Sequence, residues 1–258
     1  MDIVLLGSGR VATQLGRAFK MAGQTIVQVW SRNLEHAKEL ADTVASEAIS
    51  DLDDINRSAD LYIIAVKDSA ILELASALNI GDNLIVHTSG STSIQALDGV
   101  SSHTGVFYPL QTFSKNKAVD FRSVPIAIEA SNPEDLAAIR AIADRLSERV
   151  TELDSAQRKA LHVAAVFACN FTNHLMAISQ QLLKSENLDF DLLRPLIAET
   201  AGKVQQYDPE TVQTGPAIRG ESEIIHAHLE MLQENPEWHE LYKQLSQSIV
   251  NLHKQSRG

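Results

Sequence analysis

A glycine-rich turn lies near the beginning of the chain, where a short apolar run meets a helical pattern. Residues 2–12 read Asp-Ile-Val-Leu-Leu-Gly-Ser-Gly-Arg-Val-Ala and fit the pattern G-x-G-x-x-A. In this pattern Gly7 permits a tight strand-to-helix turn, Gly9 lets backbone N–H groups approach a pyrophosphate, and Ala12 lets the helix pack closely on the sheet. The helix N-terminus then offers unpaired N–H groups to the phosphates. The residues predicted to bind a dinucleotide here are Gly7, Ser8, Gly9, Arg10 and Val11.

The residues after the second predicted strand distinguish between the two pyridine dinucleotides. A site for NAD usually places Asp or Glu there to bind the ribose 2′-hydroxyl, whereas this chain has Ser31 and Arg32. A hydroxyl and a guanidinium suit a 2′-phosphate, which a carboxylate would repel. The pair therefore favours NADP over NAD. The alternative interpretation is an exposed loop whose arginine has no such role.

Further polar residues end strands of the predicted sheet. In doubly wound folds ligands bind beyond the carboxyl ends of the strands, so Val66, Lys67 and Asp68 and the loop from His87 to Ser91 are expected to border the nicotinamide. Ser89 and Gly90 could supply a hydroxyl and a backbone N–H to a substrate carbonyl or carboxylate. Turn formation alone is the alternative, because Ser, Thr and Gly are favoured in loops.

A polar arc interrupts an apolar helix later in the chain. At about 100° per residue, His162, Cys169, Asn170 and Asn173 fall within about 100° of one another. An amide buried in such a helix needs a partner, which a substrate, the nicotinamide carboxamide or another helix could provide. Cys169, taken as buried, is expected to be inert. The candidate catalytic residues are His162 and Asn170 on this helix, with Tyr108 or His162 as the proton donor.

Arg219 follows the turn Gly215–Pro216. Its guanidinium could bind a substrate carboxylate through two hydrogen bonds, or it could pair with Glu221 instead. His226 and His228 are two residues apart on a predicted helix and therefore point to different sides, with no matching Asp/His cluster in the sequence. We predict no metal site.

The elements that must position these residues follow from the hydrophobic pattern. In the first half, short β-branched runs alternate with amphipathic stretches, which is typical of βαβ units and a parallel sheet. From Asp154 onward only helical periodicity remains. We predict an α/β Rossmann domain, doubly wound with a mostly parallel sheet, over residues 1–153, and an all-α domain over residues 154–258. The predicted strands are Asp2–Leu6, Thr25–Trp30, Leu61–Val66, Leu84–His87, Val106–Tyr108 and Pro125–Glu129, and the predicted helices in this half are 11–22, 34–45 and 134–149.

Composition excludes several classes of function. The 258 residues include 22 basic and 33 acidic side chains, for a net charge of −11, and such a surface repels nucleic-acid phosphates. Cys169 is the single cysteine, so neither an intramolecular disulfide nor a Cys-rich zinc cluster can form. We find no signal-peptide pattern, and the longest later apolar run, Val163–Cys169, is far shorter than the ~20 residues that span a bilayer. We expect a cytoplasmic protein that does not enter the membrane.

The chain resembles a set of bacterial Rossmann-like proteins. Its first half is similar to the coenzyme F420-dependent NADP oxidoreductase and pyrroline-5-carboxylate reductase group. The whole chain resembles proteins with a DUF2520-type helical C-terminal domain, of the 6-phosphogluconate dehydrogenase C-terminal-like kind. The motifs that carry the resemblance are the GSGRVA turn at 7–12, the Ser31–Arg32 pair, HTSGS at 87–91, PLQTF at 109–113 and TGPAIRGE at 214–221. Where that family commonly has His before Pro-Leu-Gln, this chain has Tyr108, so a role of that histidine does not transfer.

Two functions remain as hypotheses. The resemblance implies an NAD(P)-linked oxidoreductase, in which NADP(H) exchanges hydride with a small carbonyl, imine or hydroxyl substrate that the resemblance does not name. The alternative is a sensor that binds NADP(H) without turning it over, since the sequence contains no obvious acid–base pair. The resemblance also implies a homodimer formed through the helical domain.

Overall fold

The computed structural model describes residues 1–117 and 119–255. Two compact units make up the chain, Met1–Asn170 and Phe171–Gly258. The first unit therefore extends beyond residue 153, where the sequence places the end of its first domain, and includes the helix that follows. We describe each unit by itself.

An eight-stranded sheet forms the centre of the first unit, with the order β3-β2-β1-β4-β5-β6-β7-β8. The order reverses between β1 and β4, as in a doubly wound fold. All pairs are parallel except β6 with β7, which is antiparallel. The predicted α/β class is therefore confirmed. The strands are β1 Asp2–Leu6, β2 Thr25–Trp30, β3 Glu47–Ile49, β4 Leu61–Ile64, β5 Leu84–His87, β6 Thr104–Pro109, β7 Ile126–Ala130 and β8 Val150–Glu152.

The two faces of the sheet bury separate hydrophobic clusters. Along β1, Ile3 and Leu5 belong to one cluster, whereas Val4 and Leu6 belong to the other, because successive side chains of a strand point to opposite faces. Both faces are covered, so β4 is buried throughout its length, as its uninterrupted apolar sequence indicates. The helices of this unit are α1 Arg10–Met21, α2 Leu34–Val44, α3 Ile71–Ala77, α4 Pro133–Leu146 and α5 Ser155–Ala165.

A π-helical segment, Val166–Phe171, joins α5 to α6 and changes the phase of the helix. A π-turn adds a residue to the α-helical repeat, so the constant 100° step used for the polar arc does not hold beyond Val166. In this chain Asn170 and Asn173 are exposed, and so is Cys169. The predictions of a buried amide arc and of a buried Cys169 are therefore wrong.

The second unit is helical. Its helices are α6 Thr172–Ser185, α7 Arg194–Lys203, α8 Pro216–Arg219, α9 Ser222–Met231 and α10 Pro236–Gln255. Among the described residues, the stretch Ser155–Ser185 is one helix whose length and apolar composition would suffice to cross a membrane, and 6% of its most apolar window is buried. Counting uninterrupted apolar residues in the sequence misses this stretch, because single polar residues divide it.

A histidine–carboxylate pair fastens the beginning of α4 to the start of β6. His103 Nδ1 lies 2.8 Å from Asp135 Oδ1, and Asp135 is 5% exposed. The other oxygen of this carboxylate accepts hydrogen bonds from Asn132 Nδ2 and Ser131 Oγ. The hydrogen bond and the negative charge of Asp135 raise the pKa of His103, with a smaller contribution from Asp82.

This pair predicts a pH-dependent stability. Because the folded-state pKa of His103 lies above its unfolded value of about 6.5, its stabilisation is complete below that value and is lost as the pH rises through the folded pKa. We expect His103→Asn to lower the free energy of unfolding more at pH about 5.5 than at pH about 9, measured by urea denaturation. His36→Asn is the control, since His36 is exposed and its ring has no hydrogen bond that the structure describes. An equal loss at both pH values would contradict the assignment.

Candidate functional site

The glycine turn has the geometry of a phosphate-binding site. Gly7 has φ +132°, and a Cβ there would overlap the carbonyl group of Ala65, so only glycine fits. Gly9 is the N-cap of α1, and apart from its chain neighbours and the start of its own helix, no atom lies within 4 Å of the position a Cβ would take. The protein leaves that space open in front of the helix N-terminus. Further along α1, a Cβ on Gly16 would lie 3.0 Å from Leu5 Cδ1, so the helix packs directly on β1.

A cleft suited to a nucleoside lies beside this turn. It has a volume of about 130 Å³ and is lined by Trp30, Arg32, Val66 and Leu74 among others. Arg32 is exposed at the end of β2, and the neighbouring Ser31 Oγ accepts a hydrogen bond of 3.0 Å from Ser8 Oγ. An apolar cleft next to a guanidinium and two hydroxyls fits an adenosine with a 2′-phosphate. The residues present therefore fit NADP.

A second cluster lies at the same carboxyl edge of the sheet. Tyr108, near the end of β6, and His162, on α5, form a hydrogen bond of 3.0 Å between Oη and Nδ1. Gly90, in the loop after β5, packs against both rings, since a Cβ there would lie 2.7 Å from His162 Nδ1 and 2.7 Å from Tyr108 Cζ. The structure thus brings together three residues that the sequence offered separately. A side chain at position 90 would push the phenol and the imidazole apart.

The surroundings keep the phenol of Tyr108 protonated. Burial raises the pKa of Tyr108 most, the negative charge of Asp68 raises it further, and the positive charge of Arg158 opposes both. Asp68 accepts a hydrogen bond from Ser91 Oγ, next to Gly90. A phenol that holds its proton and contacts an imidazole can donate that proton and recover it through the ring.

Arg158 on α5 positions the loop that carries Gly90. It is 1% exposed and forms an ion pair with Glu129 of β7. Its remaining N–H groups donate to the carbonyl oxygen of Ser89, at 3.1 Å, and to that of Thr92. The same carboxylate of Glu129 accepts hydrogen bonds from the backbone N–H and hydroxyl of Ser155. The ion pair and the hydrogen bonds of Arg158 therefore connect β7, α5 and the loop after β5.

The ring of His87, at the end of β5, forms hydrogen bonds with the backbone of the same loop. It is fully buried, its Nδ1 accepts a hydrogen bond from the backbone N–H of Ser89, and its Nε2 lies 3.3 Å from the carbonyl oxygen of Ser93. Burial, and then the charge of Arg158, lower the pKa of His87 to about 4. The imidazole is therefore neutral at pH 7, with its proton on Nε2 for Ser93.

Other predicted site residues have structural partners or lie elsewhere. Ser89 is buried, and its hydroxyl accepts hydrogen bonds from two backbone N–H groups of its own loop. The side chain therefore stabilises the turn, while contact of Ser89 with a substrate stays a prediction. Asn170 is exposed in the π-helical segment. Arg219 lies in the second unit, where its guanidinium binds both oxygens of Glu221 at 2.8 and 2.7 Å. Pairing with Glu221 is the alternative that the sequence left open to binding of a substrate carboxylate by Arg219.

The two histidines of α9 have separate partners. His226 Nδ1 lies 2.8 Å from the carbonyl oxygen of Ser222, and His228 Nδ1 lies 2.8 Å from Tyr242 Oη. Among the described residues, no group of three or more His, Cys, Asp or Glu side chains could hold a metal ion.

Sequence reasoning missed two residues that shape the cluster, Glu129 and Arg158. It placed Asp68 and His87 at strand ends near the nicotinamide, but not their contacts with Ser91 and Ser89. Glu129 stands in a strand that is otherwise apolar, and Arg158 is separated from it by 29 residues. A charged residue inside an apolar strand is a usable signal, because such a charge needs a partner. The identity of that partner required the fold.

Comparison with known proteins identifies relatives of both halves of the chain. Residues 2–89 match the family described as NADP oxidoreductase, coenzyme F420-dependent, and residues 124–249 match a domain of unknown function, DUF2520. A protein of Bacteroides fragilis that carries the provisional name NADP oxidoreductase is 50% identical, with a TM-score of 0.92 over 97% of this chain and 98% of that one. No curated protein sequence matches the chain significantly.

More distant structures share the fold. A 1-pyrroline-5-carboxylate reductase from Streptococcus pyogenes is 15% identical, with a TM-score of 0.66 over 97% of this chain and 98% of that one. An imine reductase from Myxococcus stipitatus, in complex with NADP⁺, is 16% identical, with a TM-score of 0.62 over 99% of this chain and 94% of that one. At these identities the likeness concerns the fold alone.

The Bacteroides fragilis relative extends over nearly the full length of both chains, so its similarity includes both units. The cofactor of this family is NADP, which confirms the predicted cofactor, while the roles of Ser31 and Arg32 in binding it stay predictions. The chain belongs to the family of NADP oxidoreductases in which an F420-dependent-type N-terminal domain is followed by a DUF2520 domain.

Proposed function

We propose that the protein is an NADP-dependent oxidoreductase that acts on a small carbonyl, imine or hydroxyl substrate and uses Tyr108 and His162 to supply the proton. The observation that carries the proposal is the Tyr108–His162 hydrogen bond over Gly90. This pair stands at the edge of the sheet that also bears the glycine turn, where doubly wound folds bind their ligands. It is the acid–base pair whose absence from the sequence pattern left a sensor open as the alternative function.

The residues around the pair support a reduction with proton donation. When bound, NADPH supplies a hydride, and the turn of Gly7 and Gly9 with Arg32 would hold it. Tyr108 holds a proton at neutral pH, because burial and Asp68 raise its pKa, and can give it to a substrate oxygen or nitrogen. His162 can return a proton to the phenolate through the same hydrogen bond. In an oxidation the same steps run in reverse: the hydride passes to NADP⁺, and Tyr108 and His162 accept the proton.

Turnover tests this function. We expect the protein to consume NADPH with at least one member of a panel of keto acids, cyclic imines and coenzyme F420. Tyr108→Phe should lower kcat by about 100- to 10,000-fold, the range for loss of a general acid, while the Kd for NADPH stays unchanged. Tyr207→Phe is the matched control, since Tyr207 is an exposed tyrosine of the second unit.

Two results would contradict the proposal. Binding of NADPH without reduction of any panel member would favour the sensor. Full activity of Tyr108→Phe would remove the proton-donor role while leaving the oxidoreductase in place.

Cofactor selectivity gives a separate prediction. Arg32→Ala should weaken binding of NADPH by about 1.5 kcal/mol, roughly tenfold, because an exposed guanidinium gives the lower end of the range for a hydrogen bond to a charged group. Binding of NADH should change little, because NADH has no 2′-phosphate. Calorimetric titration of both cofactors measures this difference, with the exposed Arg57→Ala as control. Equal losses for NADPH and NADH would refute the 2′-phosphate assignment.

We further propose a cytoplasmic homodimer that forms through the helical domain. Large exposed apolar side chains support it, because monomers rarely expose extended apolar surface. They are frequent in the second unit and on the helix that leads into it: Val163, Phe167, Phe171, Leu188, Leu192, Leu196, Ile224 and Met231. Light scattering is expected to give twice the 28.2 kDa of one chain. A mass of one chain at micromolar concentration would contradict the dimer.

A further inference from the structure

A groove on the first unit, distinct from the nucleotide site, combines guanidinium groups with an apolar floor. It lies between the second half of α1, the segment 119–122 and the end of α4, and its volume is about 270 Å³. We call it the arginine groove, after Arg17, Arg122 and Arg145, which line it. At 1.5 Å per residue, Met21 at its rim lies about 17 Å along α1 from Arg10 at the glycine turn. The groove is thus at the opposite end of α1 from the phosphate-binding turn.

The charges of the groove favour an anion. Three arginines converge there although the chain as a whole carries a net charge of −11. Arg17 is held by a hydrogen bond of 2.8 Å to the carbonyl oxygen of Lys115, and Arg122 pairs with Glu148 at 2.6 Å. Arg145 is exposed and makes no side-chain hydrogen bond or ion pair that the structure describes. Its five N–H donors are therefore available to a carboxylate or sulfonate.

One acidic residue, Asp120, also lines the groove. Its Oδ1 accepts a hydrogen bond of 3.1 Å from the backbone N–H of Arg122, so it serves the local turn. With Asp120 and Glu148 counted against the three arginines, the groove keeps a net positive charge. A single anionic group on the ligand would neutralise this net positive charge, whereas the three guanidinium groups would repel a cation.

The floor of the groove is apolar and large enough for a ring system. Ala18, Phe121 and Leu146 are buried there, while Met21 at the rim is 90% exposed. An apolar cavity of about 150 Å³ holds one benzene, so 270 Å³ accommodates a body of roughly two fused rings. Met21 can adapt to such a body, since a thioether packs well against aromatic rings.

We propose that the arginine groove binds a small organic anion with an apolar ring body, namely an aromatic carboxylate or sulfonate, as a second ligand site. Phe121 of its floor stacks on Phe113 with ring centroids 5.6 Å apart. Phe113 belongs to the chain segment that leaves β6 directly after Tyr108 and Pro109. A ligand on Phe121 is therefore connected by packing to the segment that carries the proposed proton donor.

The probe that tests the site is naphthalene-2-sulfonate, added in the presence of saturating NADPH so that the nucleotide cleft is occupied. The chain has four methionines, of which Met21 alone lines the groove, so ¹³C-methyl methionine NMR reports the location directly. We expect the methyl resonance of Met21 to shift with saturation. That of Met231, which is 77% exposed in the second unit, should stay in place.

Variants and ligand analogues separate this site from adventitious binding. Arg145→Gln should raise the Kd of the probe about tenfold, whereas Arg149→Gln, an exposed arginine that does not line the groove, should leave it unchanged. Neutral 2-naphthalenemethanol lacks the anionic group, and inorganic sulfate lacks the ring body. Both should bind at least tenfold more weakly than the probe. The proposal is overturned if the probe fails to bind at millimolar concentration, if Met231 shifts as much as Met21, or if Arg145→Gln has no effect. None of these results depends on turnover.

Discussion

The buried guanidinium of Arg158 is the constraint on which the candidate reaction site depends. A cation that is 1% exposed is tolerated only when an anion and hydrogen-bond acceptors surround it. Those partners are Glu129 and the carbonyl oxygens of Ser89 and Thr92, which belong to different elements. The loop after β5 cannot move relative to α5 without leaving buried N–H groups of Arg158 without acceptors. Gly90 is held in this way against the two rings that form the proton-donating pair.

His87 and Arg158 both form hydrogen bonds with the loop, and the charge of Arg158 influences the protonation of His87. The positive charge of Arg158 is one cause of the low pKa of His87. A protonated His87 would place a second cation in the same buried region, and its Nδ1 would then carry a proton where the backbone N–H of Ser89 donates. The neutral imidazole is therefore the form that accepts the hydrogen bond from Ser89. The fold secures this by burying the ring completely.

The sequence predicted the sheet and the glycine turn better than the cluster of Tyr108, His162 and Gly90, for a physical reason. The requirements of the glycine turn are local, because Gly7, Gly9 and α1 follow one another in the chain. The strands β3 and β8 have three residues each and carry too little pattern to be recognised. Tyr108 and His162 are 54 residues apart, and their contact depends on a loop fixed by two further elements. Helical periodicity placed Asn170 in a buried arc, but it could not show that the whole stretch Ser155–Ser185 is little buried, with 6% of its most apolar window covered.

The glycine turn and the reaction cluster, both at the carboxyl edge of the sheet, differ in charge, which suits the two tasks assigned to them. At the glycine turn, the N-terminus of α1 with Arg10 and Arg32 offers positive charge to phosphates. At the reaction cluster Glu129 neutralises Arg158, and the negative Asp68 raises the pKa of Tyr108. A cation left unpaired beside the phenol would lower that pKa and weaken its hold on the proton. The buried ion pair therefore lets Arg158 shape the loop without removing the proton that the reaction requires.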